Sequence, residues 1–323
     1  MKAIVQDIYG SADVLTLRDI DKPTAGDGEV LIRVRAAGVD QGVWHLMTGL
    51  PYLVRVFGYG LKKPKVPVRG RDVAGVVEAV GTGVTRFQPG DEVFGTCEGS
   101  FAEYATAKEG RLALKPANLT FEQAAAVPIS GGTALQAVRD AGQVTPGQIV
   151  LVIGAAGGVG SFAVQLAKVF GAEVTGVCSG GKADLVRSLG ADQVVDYTRE
   201  DFAAAGQRYD VIIDTAGNRP LSVLRQTLAP EGTLVIVGGE GGGQLTGGFE
   251  RSLGAALLTP FVGQKLKGLV AGENHQDLQY LASLIEAGTV RPAIDTVYPL
   301  AEAAAAIDYV HEGRARGKVV VSV

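Results

Sequence analysis

The chain is poor in the residues that bind metals and form covalent cross-links. Its 323 residues include two cysteines, three histidines, two methionines and one tryptophan. Cys97 and Cys178 are far apart and form no disulfide framework, which fits a reducing compartment. A structural zinc site needs four clustered ligands and a catalytic one about three. His45, His275 and His311 are widely separated, so no metal site is expected. Excess positive charge is also missing. Thirty basic residues stand against 34 acidic ones, a net charge of −4, with no long basic stripe, so nucleic acid is not expected as a primary partner. The opening residues MKAIVQDIYG carry no long apolar core of a secretory signal. No run of about 18 uncharged apolar residues is present to span a membrane. The expectation is a soluble cytoplasmic protein. Neither a Gly-x-Ser-x-Gly elbow nor a Walker lysine is found, which leaves serine hydrolysis and ATP hydrolysis without support.

Glycine, by contrast, is abundant, at 46 residues, and much of it lies where strands would meet helices. The densest case is IVLVIGAAGGVGSFAVQLAKVFGAEVTGVCSGG at 149–181. An apolar run at 149–153 meets a glycine turn at 154–160. Phe162, Ala163, Leu166, Ala167, Val169 and Phe170 then recur at helical spacing, and a second apolar run occupies 174–178. This is a βαβ unit that grips a dinucleotide. Its glycines let the backbone approach a pyrophosphate, and the free N–H groups of the helix start attract the negative charge.

The length points to about two domains. Residues 2–7, 15–19, 29–36, 73–80 and 101–106, with a further strand after Pro89-Gly90-Asp91, read as short strands parted by glycine turns, a β-rich domain. Residues 37–42 read as a turn into a short helix containing Trp44. Residues 49–68 form a surface loop or short helix able to fold over a substrate. Helices are expected at 121–127, capped by Thr120, and at 133–141. Beyond 181, helices and strands alternate, as in a doubly wound parallel sheet whose ligands sit at strand carboxyl ends. Those ends are 154–160, 178–182, 215–218 and 237–239. The glycine-rich stretch 241–248 reads as mobile; the apolar stretches at 50–57 and 249–261 could serve a partner or a membrane surface, with pocket walls the simpler reading.

NAD enzymes usually place a carboxylate at the end of the second strand of such a unit, for the ribose hydroxyls. Here Cys178-Ser179-Gly180-Gly181-Lys182 occupies that place, with no carboxylate before Asp184. Ser179 can hydrogen-bond a 2′-phosphate and Lys182 can neutralise it. Tyr197, after the third strand, is placed to contact adenosine. The pattern favours NADPH over NADH. The competing reading makes Lys182 a solvated lysine at a helix start, where the dipole disfavours it.

AAGV at 36–39, DVAGVVEAVG at 72–81, PGDEVFG at 89–95, FAEY at 101–104, AAAVP at 124–128, GAAGGVG at 154–160 and LGADQVVDYTRED at 189–201 occur in this order along the chain. Together they make it resemble the zinc-free quinone reductases of the medium-chain dehydrogenase/reductase superfamily, in the zeta-crystallin and reticulon-4-interacting-protein branch. The resemblance implies a GroES-like catalytic domain at 1–122, completed by about 290–323, and a Rossmann dinucleotide-binding domain at 123–289. It further implies Thr133 near the nicotinamide, and Ala156, Gly157, Gly158 and Val159 at the pyrophosphate. Ser179, Lys182 and Tyr197 would surround the 2′-phosphate, and Ala216, Gly217, Val237, Gly238 and Gly239 would line the cofactor cleft. Lys318 would also reach the cofactor, and two chains would dimerise through their cofactor domains. Zinc relatives have Gly-His-Glu where this chain has Gly70-Arg71-Asp72. Quinone reductases commonly have Asn at the position of Asp40.

A site without zinc lacks the Lewis acid that polarises an isolated carbonyl. Conjugated acceptors suffer less, because charge arriving with hydride spreads into an enolate or phenolate. The expected activity is therefore NADPH-dependent reduction of quinones or α,β-unsaturated carbonyls. Protonation could come from water or a nearby acid, with Tyr52 the first candidate and Tyr59 the second, and packing or lid roles stay open for both. Asp40 could orient the nicotinamide amide or relay a proton, or be a turn residue. Arg71 could pair with Asp72 or Glu78, or touch substrate. An enoyl-thioester reductase and an NADPH-binding interaction or sensor protein remain as rival readings.

Overall fold

A computed structural model describes residues 1–204, 206–239 and 242–323. The chain forms two compact units: Met1–Gly132 with Glu273–Val323, and Thr133–Gly272 between them.

The first unit begins with a ribbon of β1 (Lys2–Val5) and β2 (Thr16–Asp19). β3 (Glu29–Val39), β4 (Asp72–Val80), β5 (Glu92–Thr96), β6 (Tyr104–Lys108) and β7 (Leu112–Leu114) follow. Helices α1 (Gln41–Thr48), α2 (Tyr52–Val54) and α3 (Phe121–Ala125) belong to the same stretch, and α4 (Pro128–Leu135) leads into the second unit. The second unit comprises β8 (Ile149–Ile153), α5 (Gly158–Val169), β9 (Glu173–Cys178), α6 (Ala183–Ser188) and β10 (Gln193–Asp196), then β11 (Tyr209–Asp214), α7 (Leu221–Thr227), β12 (Leu228–Ile236), α8 (Phe249–Leu258) and β13 (Lys265–Gly268). The chain then returns to the first unit with α9 (His275–Glu286), β14 (Ile294–Pro299), α10 (Ala303–His311) and β15 (Lys318–Ser322).

In the first unit the strand order is β14-β15-β3-β4-β5-β7, with β6 added to β3. β3 is the hub, antiparallel to β15, β4 and β6. Its inward Val30, Ile32 and Val34 are buried while Arg33 and Arg35 stay exposed, the alternation of a strand with one wet face. Residues 37–39, expected in a turn, instead continue β3, because Ala37, Gly38 and Val39 pair with Val321, Val320 and Val319. A partner that lies almost three hundred residues away cannot be seen in the local pattern.

The second unit is a six-stranded parallel sheet in the order β10-β9-β8-β11-β12-β13. Val150, Leu151, Val152, Ile212, Ile213, Leu234 and Val235 are fully buried, as expected of strands covered on both faces. Chain order reverses between β8 and β11, which marks the crevice where ligands bind in such folds.

The boundaries between the units differ from the expected ones at 122/123 and 289/290. Helix α3 packs on β3 and β4, and α9 packs on β7, so both helices belong with the first unit. The short strands β7 and β14 were not legible, since β7 has three residues and β14 has no buried–exposed alternation. Gly241, at the head of the 241–248 stretch, lies outside the described residues. The apolar stretch 249–261 does not form a closed wall within its unit: Leu253, Leu257 and Phe261 are exposed.

Candidate active site

The dinucleotide features lie in the second unit. β8 ends at Gly154, whose φ of 80° lies in the left-handed region. The Thr215 hydroxyl donates to the Ile153 carbonyl at 2.7 Å, tying β8 to the end of β11. Helix α5 starts at Gly158 with Gly157 as its cap, and no side chain satisfies its first N–H groups. Those donors and the helix dipole are therefore open to an anion. Gly160 packs so tightly that a Cβ there would overlap the Gly154 carbonyl. Ala156 is buried, while Val159 sits half-buried in the first turn. This is a cradle shaped by missing side chains, and it fits a pyrophosphate.

Ala216 and Gly217 follow β11, and Val237, Gly238 and Gly239 follow β12. The two turns touch backbone to backbone: a Cβ on Gly217 would sit 2.5 Å from the Gly238 carbonyl oxygen. The fully buried Asp214 holds both in place, accepting from Gly217 N–H at 3.0 Å and from Arg251 at 2.7 Å. Arg251 also donates to the carbonyls of Arg219 and Gly238. Neither Asp214 nor Arg251 stood out in the sequence. An acid at the end of a buried strand was the only available signal.

Ser179 and Lys182 bracket a single turn of 3₁₀ helix at Gly180–Lys182, closed by the Lys182 N–H on the Ser179 carbonyl at 2.8 Å. The side chain of Ser179 makes no capping bond. Tyr197 is exposed, and its N–H donates to Cys178 O at 3.1 Å, so β10 delivers it to this turn. The structure adds a carboxylate at this turn, Asp196 at the end of β10. Its carboxyl accepts from the Thr198 hydroxyl and N–H and from Gly180 N–H, and these bonds hold its pKa below the usual range. Arg199 lies 3.7 Å away. Thr133 is the first residue of the second unit and is half-buried within α4.

The remaining candidates lie in the first unit. Asp40 caps α1, accepting from Val43 N–H at 3.1 Å through one oxygen, while its other oxygen is buried without a partner. Lys318 is buried in the first unit, where its ammonium donates to Asp72 at 3.0 Å and to the Ser130 hydroxyl at 3.1 Å. Asp72 also accepts from Ile129 N–H at 2.8 Å. Burial raises the Asp72 pKa, Lys318 opposes that rise, and the nearby Asp40 adds to it. Gly38 of the AAGV motif has a packing reason here, since a Cβ would come within 2.6 Å of the Asp72 carboxylate.

A cavity of about 340 Å³ opens in the same unit. Val43, Leu46, Phe57, Val66 and Val68 form its apolar walls, and Tyr59, Lys65, Arg69, Arg71 and Glu98 its polar ones. Tyr59 therefore lines the cavity. Tyr52 is not among the lining residues, and its ring lies beneath the Arg55 guanidinium at 4.8 Å. Arg71 pairs with neither Asp72 nor Glu78. It pairs with Glu273, which also accepts from the Thr96 hydroxyl at 2.8 Å, whereas Glu78 takes Lys22. Trp44 packs into the core below α1 and stacks on His311 at 3.9 Å. Among the described residues, no group of three or more His, Cys, Asp or Glu could hold a metal ion. None of the helices among those residues is long and apolar enough to cross a membrane.

The fold and the glycine cradle define a two-unit dehydrogenase of the dinucleotide-binding class. Residues 26–117 match the alcohol dehydrogenase GroES-like domain family, and residues 189–321 match the zinc-binding dehydrogenase family. The chain is 37% identical to a 2-methylene-furan-3-one reductase of Solanum lycopersicum, covering 99% of this chain and 79% of that protein. It is 34% identical to a chloroplastic quinone oxidoreductase of Triphysaria versicolor, covering 99% and 98%. A mycobacterial protein solved in complex with NADPH superposes with a TM-score of 0.85 at 28% identity, over the full length of both chains. The chain belongs to the medium-chain dehydrogenase/reductase superfamily, together with its quinone and enone reductases.

Proposed function

We propose that this chain is an NADPH-dependent oxidoreductase that reduces quinones or α,β-unsaturated carbonyls without zinc. The observation that carries the reading is the cradle at Gly154–Gly160, with its uncapped helix start and its glycines pressed against backbone. It is supported by relatives that match almost the whole chain and are named for acting on a quinone and on an enone. NADPH, when bound, supplies the hydride. Gly158 and Val159 offer backbone N–H groups to the pyrophosphate, and Gly157, whose own N–H donates to the Gly154 carbonyl, leaves the approach clear. Ser179 and Lys182 meet the 2′-phosphate, and Tyr197 flanks the adenosine. Asp214 and Arg251 brace the two turns that line the cleft. In the first unit, Tyr59 holds the proton for the reduced acceptor, in preference to Tyr52, because Tyr59 is the one on the cavity wall. Lys318 serves the first unit through Asp72 and Ser130.

Zinc-independence is supported by Arg71-Asp72 in place of the zinc relatives' ligands and by the separation of Cys97 from Cys178. Burial also pushes the Cys97 thiol far up, away from the thiolate a metal needs. A cytoplasmic location fits two free, buried cysteines. Dimerisation through the second unit is supported by the edge strand β13 and the exposed Leu257, Phe261 and Val270 beside it in sequence. The test is NADPH oxidation across matched quinones, enones and saturated aldehydes. Turnover confined to conjugated acceptors is expected. Equal turnover of saturated aldehydes would sink the proposal.

A further inference from the structure

We propose that the first-unit cavity is built to take an acceptor carrying a compact oxyanion, a carboxylate or sulfonate, with Arg69 as its main ligand. That the anion belongs to the acceptor rests on the function proposed above; the anion site itself does not. Arg69 is only 5% exposed. Among the described residues its side chain makes one hydrogen bond, from Nη1 to the Leu46 carbonyl at 3.1 Å, and its buried Nε has no partner. It makes no ion pair among the described residues. Burial pulls its pKa down to about 10, with Tyr9 and Glu98 partly opposing, so it is still a cation near neutrality. A buried charge without a counter-ion is costly and is normally paired. Here it lines an open cavity.

The surroundings fit the same ligand. Lys65 and Arg71 add positive charge at the wall, against the exposed Glu98. Glu273 pairs with Arg71, yet the buried Arg71 Nε still lacks a partner. A guanidinium presents paired donors that match a planar carboxylate or one face of a sulfonate. The apolar walls at Val43, Leu46 and Phe57 suit the hydrocarbon or ring that bears the anion. A neutral acceptor would leave Arg69 unsatisfied, so the cavity should discriminate between acceptors by charge.

The experiment compares naphthoquinone with naphthoquinone sulfonate on the intact chain. Binding is read by calorimetry without cofactor, and turnover by NADPH oxidation. The sulfonate should bind about tenfold or more tightly than the neutral quinone and keep most of that advantage at 0.15 M salt, because Arg69 is buried. Arg69→Met should bring the ratio towards one, with a thermal melt to check folding. The exposed Lys65→Met, which does not threaten the core, should lower the ratio two- to threefold. Equal binding of the two quinones by the wild type, or an unchanged ratio in both variants, would overturn the inference. Turnover of both quinones without charge preference would overturn it and leave the proposed function standing. Selective binding of the sulfonate with no turnover of either quinone would support the anion site and count against the hydride-transfer reading.

Discussion

The buried trio Asp72, Lys318 and Ser130 shows how a single charge depends on its neighbours. Among the described residues, Lys318 is the one cation bonded to the Asp72 carboxylate. Removing one member of a buried pair leaves the other uncompensated. Lys318→Met should therefore lower unfolding free energy by about 3–5 kcal/mol near pH 8, measured by urea denaturation. The sign with pH follows from Asp72. Its folded pKa is raised above the unfolded value of about 4. The stability it contributes is thus fully present below that value and lost as pH rises through the folded pKa. Without Lys318 the folded pKa climbs further, so the variant's deficit should shrink at pH 5, where Asp72 takes up a proton. Adding Asp72→Asn should restore much of the loss. A deficit independent of pH would refute this account.

Two further side chains carry predictions of their own. Lys182→Ala should weaken NADPH by about tenfold or more, the scale of a charged hydrogen bond, while NADH changes little; fluorescence titration of both cofactors reads the difference. Tyr59→Phe should lower turnover about a hundredfold, at the low end for losing a general acid, and Tyr52→Phe by a small factor. The opposite ranking in steady-state kinetics would return the role to Tyr52.

At the scale of elements, the strand–turn–helix of β8 and α5 was legible because its chemistry is local. Glycine spacing, apolar periodicity and the following strand all lie within about thirty residues. Its two kinds of glycine can be separated by experiment. A Cβ at Gly160 overlaps the Gly154 carbonyl, whereas one at Gly157 stays 3.3 Å from it, and Gly157 has a φ of −84° open to any residue. Gly160→Ala should lower stability by about 1–3 kcal/mol through overpacking. Gly157→Ala should change stability by less than about 0.5 kcal/mol and weaken NADPH instead. Thermal melts with and without the cofactor distinguish the two. What stayed hidden was long-range: β14 beside β15, the last turn of β3 pairing with β15, and Glu273 reaching Arg71. In each case the partner lies between 23 and 286 residues away, beyond any periodic signal.

At the scale of the molecule, the chain leaves its first unit at Gly132 and re-enters it at Glu273, so the second unit is an insertion in the first. The general plan was legible from the change from short strands to alternating helices and strands, and from the family resemblance. The boundaries were not, because α3 and α9 belong to the first unit by packing and not by pattern. The proposed function assigns the cofactor to the inserted unit and the acceptor to the first. Arg69 was passed over at this scale as well, since a lone arginine in a sequence says nothing about its burial. The most direct test of the whole account is the stoichiometry of the reaction in a buffer containing a metal chelator. One NADPH should be consumed for each quinone or enone reduced, at an undiminished rate and with no oxidation in the presence of a saturated aldehyde. Oxidation that stops with the chelator and returns with zinc would contradict it.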